Sequence, residues 1–119
     1  MPLAILSYHP EMVHAEHVRR LSSLLPSMVA EALDVPENPE ARLTASDVEV
    51  WARERMRFDK SAKALEIVVL ANDYPERRKD LDERSKELGR KVKFFLDAFP
   101  EHIHGFVWVL LAPGGFAEF

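Results

Sequence analysis

The stretch "MPLAILSYHPE" (residues 1–11) has a counterpart in "LEIVVLANDYPE" (65–76), and the pair decides how the chain is organised. Each is an apolar run that ends in a turn and a Pro-Glu pair. Proline suits a first helical turn because its missing N–H would be unpaired there anyway. A glutamate beside it meets the positive end of the helix dipole. A second Pro-Glu closes each helical stretch, at Pro36-Glu37 and Pro100-Glu101, and a proline placed after a helix stops it. Strand, helix, strand is thus written twice, as pseudo-repeats over 2–55 and 65–111 of a single domain spanning 1–119, with a tail at 112–119.

From Pro75 to Phe99, Leu81, Leu88, Val92, Phe95, Leu96 and Phe99 follow a helical period. Asp80 with Arg84 and Glu87 with Lys91 stand four apart on the opposite face, the spacing of a helical ion pair. From Pro10 to Asp34 a similar stripe runs from Val13 to Leu33, interrupted by Pro26, which predicts a kink or a split. Strands are predicted over 2–8, 47–55, 65–72 and 106–111. The second alternates, with Val48, Val50 and Ala52 on one face and Glu49, Trp51, Arg53 and Arg55 on the other. The third and fourth are apolar on both sides. The expected class is α+β, a four-stranded mixed sheet with two helices on one face. Two helices cover only one side of such a sheet, so the other side calls for another copy of the chain, a homo-oligomer.

Composition narrows the function. A chain of 119 residues with sixteen basic and twenty acidic side chains, net charge -4, lacks the footprint of a nucleic-acid binder. The absence of cysteine excludes disulfides and thiol catalysis. The longest apolar run, "FVWVLLA", falls far short of the roughly 20 residues of a membrane span, and no signal peptide is read at the N-terminus. A cytoplasmic protein with no membrane or nucleic-acid partner is the expectation.

A β-α-β unit repeated once and beginning Met-Pro resembles the tautomerase superfamily, which includes 4-oxalocrotonate tautomerase and macrophage migration inhibitory factor. "MPLAILSY" is similar to the first strand of that family, "LTASDVEVWARER" to the segment entering its second strand, and "LEIVVLAN" to the third strand of its fused members. The resemblance implies that Met1 is removed and that Pro2, then a free secondary amine, is a general base or acid. It implies a homotrimer enclosing a barrel of sheets, and a small 2-oxo acid or its enol as substrate. Such a substrate needs a carboxylate anchor, and arginine is the usual one. Arg53 or Arg55 is expected to serve, with Trp51 and Phe106 or Phe116 excluding water. The chain departs from the family pattern at Glu49, which stands where the second-strand arginine is found. It departs again at "HPE", which replaces a "GRS" turn, and at Tyr74 and Glu76, with Arg77 and Arg78 following. Glu49, Tyr74 and Arg77 join the expected substrate-binding set. Glutamates on the second and third strands, Glu49 and Glu66, point to a bacterial branch of the superfamily.

Pro2 also has a plain structural reading, since proline is tolerated at the start of a strand. If Met1 stays attached, the Pro2 nitrogen is an amide and carries no base. The alternative function is therefore a non-catalytic trimeric binding protein on the same scaffold. A ferredoxin-like dimer fits the same order of elements. His14 with His17, and His102 with His104 beside Glu101, have spacings found in metal sites but no diagnostic partner, and read as surface histidines. The Gly-Gly of the tail lacks a phosphate-loop pattern, so neither cofactor nor metal is expected.

Overall fold

The computed structural model describes residues 2–60, 63–115 and 117–119. In chain order it holds β1 (Leu3–Tyr8), α1 (Ala15–Leu33), β2 (Glu49–Glu54), β3 (Leu65–Asn72), α2 (Pro75–Lys79), α3 (Leu81–Leu96) and β4 (Gly105–Ala112). Short 3-10 turns at Pro39–Ala41 and Ala45–Asp47 lead into β2. The strands lie in the order β2-β1-β3-β4. β1 is parallel to β2, β3 is parallel to β4, and the central pair β1 and β3 is antiparallel. This is the expected four-stranded mixed α+β sheet. The strands joined by a helix bond directly to each other, whereas a ferredoxin-like split β-α-β sets another strand between them; that alternative is set aside.

Period-two alternation assigns the faces. Ala4, Leu6 and Tyr8 of β1 and Leu65, Ile67, Val69 and Ala71 of β3 are buried under the helices. Against them pack Leu21, Leu25 and Val29 of α1 and Leu88, Val92 and Leu96 of α3. Each such side chain contributes about 1.5–3 kcal/mol relative to exposure. That explains why, of the kink or split expected at Pro26, the split does not occur: α1 is one helix with Pro26 inside it. The buried stripe on both sides of Pro26 outweighs the roughly 3 kcal/mol that an interior proline costs. The second helical stretch does divide, at Asp80, into α2 and α3. Asp80 and Arg84 pair as expected, but Glu87 bonds Arg90, and Lys91 reaches Glu31 on α1 instead.

The other sheet face carries Leu3, Ile5 and Ser7, with Trp51 and Arg53 on β2 and Phe106 and Trp108 on β4. Trp51 is 40 % exposed, Phe106 40 % and Trp108 57 %. The accessible surface of 7857 Å² exceeds the roughly 6,600 Å² of a compact monomer of this mass, as a sheet covered on one side requires.

At the head of β4, a Cβ on Gly105 would overlap the Leu65 carbonyl oxygen. Gly105→Ala is therefore expected to cost about 1–3 kcal/mol, seen as a lower urea midpoint at unchanged slope. An unmoved midpoint would show that the two strands can part there.

Candidate active site

Pro2 is buried at the leading end of β1, and its carbonyl accepts from the Glu49 N–H at 3.0 Å. Leu3 sits between Glu49 of β2 and Leu70 of β3.

The same end gathers two other expected site residues. Arg77, only 2 % exposed, donates from Nε to the Leu33 carbonyl at 2.8 Å, from Nη1 to Asn72 at 3.1 Å and from Nη2 to Ala41 at 2.9 Å. Burial works against its charge and holds its pKa below the ordinary guanidinium value. The Tyr74 ring lies 5.1 Å from the guanidinium carbon, and the Tyr74 hydroxyl donates to the Glu40 carbonyl at 3.2 Å. Arg77 thus braces this end of the sheet from beneath, with its donors committed to peptide oxygens.

Arg53 and Arg55 lie elsewhere. Arg53 pairs with Ser7, five residues along β1 from Pro2, a separation of about 17 Å. Within one protomer neither arginine reaches a small molecule held at Pro2. Arg55, just past β2, forms an ion pair with Glu66 of β3, on the other side of β1 in the strand order. Arg53 stays exposed, its guanidinium 5.3 Å from the Trp51 ring. Trp51 Nε1 donates to Glu49 Oε1 at 3.0 Å, so Glu49, Trp51 and Arg53 form a row from the Pro2 end towards the far end of β2. Phe106 stands opposite Glu66 at that far end. Met1 and Phe116 lie outside the described residues.

Comparison with solved structures finds this architecture over nearly the whole chain. A macrophage migration inhibitory factor-like protein from Entamoeba histolytica superposes with TM-score 0.60 at 11 % identity, covering 98 % of this chain and 95 % of its own. The macrophage migration inhibitory factor of Trichinella spiralis gives 0.58 at 14 %, with coverage of 98 % and 95 %. A member of the cis-3-chloroacrylic acid dehalogenase family gives 0.55 at 16 %, with 94 % and 76 %. No family model matches the chain, and no curated sequence matches it.

The chain has the tautomerase-superfamily fold.

Other side chains at the Pro2 end of this tautomerase fold were missed in the sequence. Arg84, read there only as a partner of Asp80, also donates to the carbonyls of Ala32 at 3.1 Å and Asp34 at 2.9 Å. The signal was available: α1 has no basic residue in its last turn, so its terminal carbonyls need donors from elsewhere. Asp34 accepts from the Leu43 N–H at 2.8 Å and Arg42 Nε at 3.0 Å. Burial opposes its charge, but these hydrogen bonds prevail and hold its carboxyl below the usual aspartate range. Asn38 Nδ2 reaches Glu76 Oε1 at 3.5 Å, leaving Glu76 Oε2 buried and unpartnered.

His17 stacks on Phe99 with centroids 3.6 Å apart, its Nδ1 3.2 Å from Glu101 Oε1, while His14 meets it edge-on. Among the described residues no three acidic or histidine side chains gather as a metal site, and no helix is long and apolar enough to cross a membrane.

Arg77→Met strands three carbonyls and is expected to cost about 3 kcal/mol or more, measured by urea denaturation. Because Asp34 has a lowered pKa when folded, its contribution is present above the unfolded value of about 3.9 and is lost as the pH falls through the folded one. Asp34→Asn should therefore flatten the loss of stability below about pH 4, and an unaltered acid limb would assign that limb to other carboxylates.

Proposed function

We propose that the chain is a tautomerase-like isomerase in which Pro2, freed of Met1, moves a proton between carbon and oxygen of a small 2-oxo acid or its enol. One observation carries the reading: Pro2 lies buried at the leading end of an inner strand in a sheet of tautomerase topology. A secondary amine is a nitrogen base that no interior residue of a chain can offer. Burial disfavours its protonated form and brings its pKa towards neutrality, where proton transfer is most effective. The neutral amine accepts the enol hydroxyl proton and the resulting ammonium returns one to carbon, so the protons balance without a cofactor.

The active form is a homotrimer in this reading. The exposed aromatic sheet face and the two edge strands, β2 and β4, support assembly. Arg53 belongs to the carboxylate anchor and reaches the substrate from a neighbouring copy, since its own Pro2 is too far away. Glu49 and Trp51 line the approach with Tyr74, Phe106 closes it from the neighbouring copy as Arg53 does, and Arg77 holds the floor. A second reading, a non-catalytic trimeric binding protein with Met1 retained, draws on a different fact. Of Arg53, Arg55 and Arg77, the last two are committed to Glu66 and to peptide carbonyls.

Mass spectrometry of protein from its native host is expected to show loss of Met1, and light scattering a mass three times the 13.7 kDa chain. Pro2→Ala should slow ketonisation of phenylenolpyruvate by about 10²–10⁴-fold. Unchanged turnover in that variant would remove Pro2 from the mechanism, and intact Met1 without proton exchange would establish the binding protein. Arg53→Ala should lower kcat/KM by roughly ten- to a hundred-fold, mainly through KM; a loss confined to kcat would assign it another task.

A further inference from the structure

At the end of the sheet away from Pro2, a cavity of about 560 Å³ opens between α3, the segment 97–104 and the head of β4. Its volume falls within the range of small-molecule sites, about 300–1,000 Å³. The floor is apolar, made by Leu65 and Ile67 of β3, Val92 and Leu96 of α3, and Val107 of β4. The rim is polar. Lys93 and Asp97 stand there as an exposed pair with Nζ to Oδ2 at 2.6 Å, followed by the exposed imidazoles of His102 and His104. Glu101, also on the rim, is turned to His17 on α1, with 3.2 Å between Oε1 and Nδ1.

The wall holds the telling residue. Gly89 lies inside α3, one turn before Val92 and Lys93, and lines the cavity. Glycine inside a helix costs about 1 kcal/mol relative to alanine. It is usually retained for a left-handed backbone or for close packing. Neither applies: among the described residues no glycine has positive φ, and a Cβ on Gly89 would meet nothing within 4 Å. What the missing side chain leaves is room.

We propose that this cavity is a binding site for a small aromatic carboxylic acid of one or two rings. The ring body covers the apolar surface that Phe99, Ile103 and Val107 leave half-buried in the cavity, where it gains by burial. The carboxylate remains at the rim, met by the Lys93 ammonium and the N–H donors of His102 and His104. Asp97 does not bar it. An exposed i,i+4 ion pair is worth only a few tenths of a kcal/mol, so Lys93 exchanges one carboxylate for another at little cost. The site is separate from Pro2 and needs no proton transfer there.

The test is titration of the 15N-labelled full chain with 2-naphthoate, followed by NMR. Saturable shifts are expected at the amides of Gly89, His104 and Gly105. Gly89→Leu, which fills the cavity with a helix-favouring side chain, should weaken binding at least ten-fold. Gly89→Ala should raise the Tm by about 3–6 °C, showing that the glycine has no structural task. 2-Naphthylmethylamine, with the same rings and a cationic head, should bind at least ten-fold more weakly than the acid. Shifts confined to the aromatic sheet face, undiminished binding by Gly89→Leu, a lower Tm in Gly89→Ala, or tighter binding of the amine would each overturn the proposal. So would shifts at the cavity that appear only on dilution to the monomer, which would make the cavity part of an interface between copies.

Discussion

The carboxyl end of α1 is the joint on which the two halves of this protein turn. Its last carbonyls point out of the helix with no donors of their own, and the negative end of the dipole gathers there. Arg77 and Arg84, both from the second half, supply donors to Ala32, Leu33 and Asp34. Arg77 also holds Ala41, in the approach to β2, and Asn72, at the end of β3. One buried guanidinium thus ties a helix end, a connecting turn and a central strand at the point where Pro2 enters the sheet. Removing the charge while leaving the carbonyls is far costlier than never having had it, because each buried acceptor then lacks both protein and water.

That joint also fixes what the Pro2 end can do. Arginine is the side chain best suited to bind a carboxylate, but Arg77, at the Pro2 end of the sheet, is buried and serves the backbone. On the open face Arg53 is exposed beside the Trp51 ring, beyond the reach of Pro2 in its own protomer. In the proposed function the two meet only between copies of the chain.

Much of the architecture was legible because it rests on local chemistry. The helical stripes and the alternation in β2 each follow from a single residue property at a fixed spacing, and the four strands lie within a residue or two of their predicted bounds. Pro75-Glu76 does open its helix, whereas Pro10-Glu11 lies in a turn ahead of α1, which starts at Ala15. Of the kink or split expected at Pro26, the split is absent because the proline's cost is local, whereas the buried stripe that keeps the helix whole is tertiary. The break at Asp80 had no such mark. The candidate site was legible by residue type and not by place. Arg53, Arg55 and Arg77 look equivalent in the sequence, but register sends the first two to one end of the sheet, and burial turns the third against peptide oxygens.

The bare side of the sheet has a consequence for how this protein would behave in dilute solution. Two indole rings and a phenyl ring meet water in a lone chain, and an assembly of the proposed kind would shelter them. Mass action then joins folding to abundance, since whatever binds the native form alone shifts the unfolding balance in its favour. Scarcity itself would act as a mild denaturant, so the durability of each molecule would depend on how many of its kind are nearby.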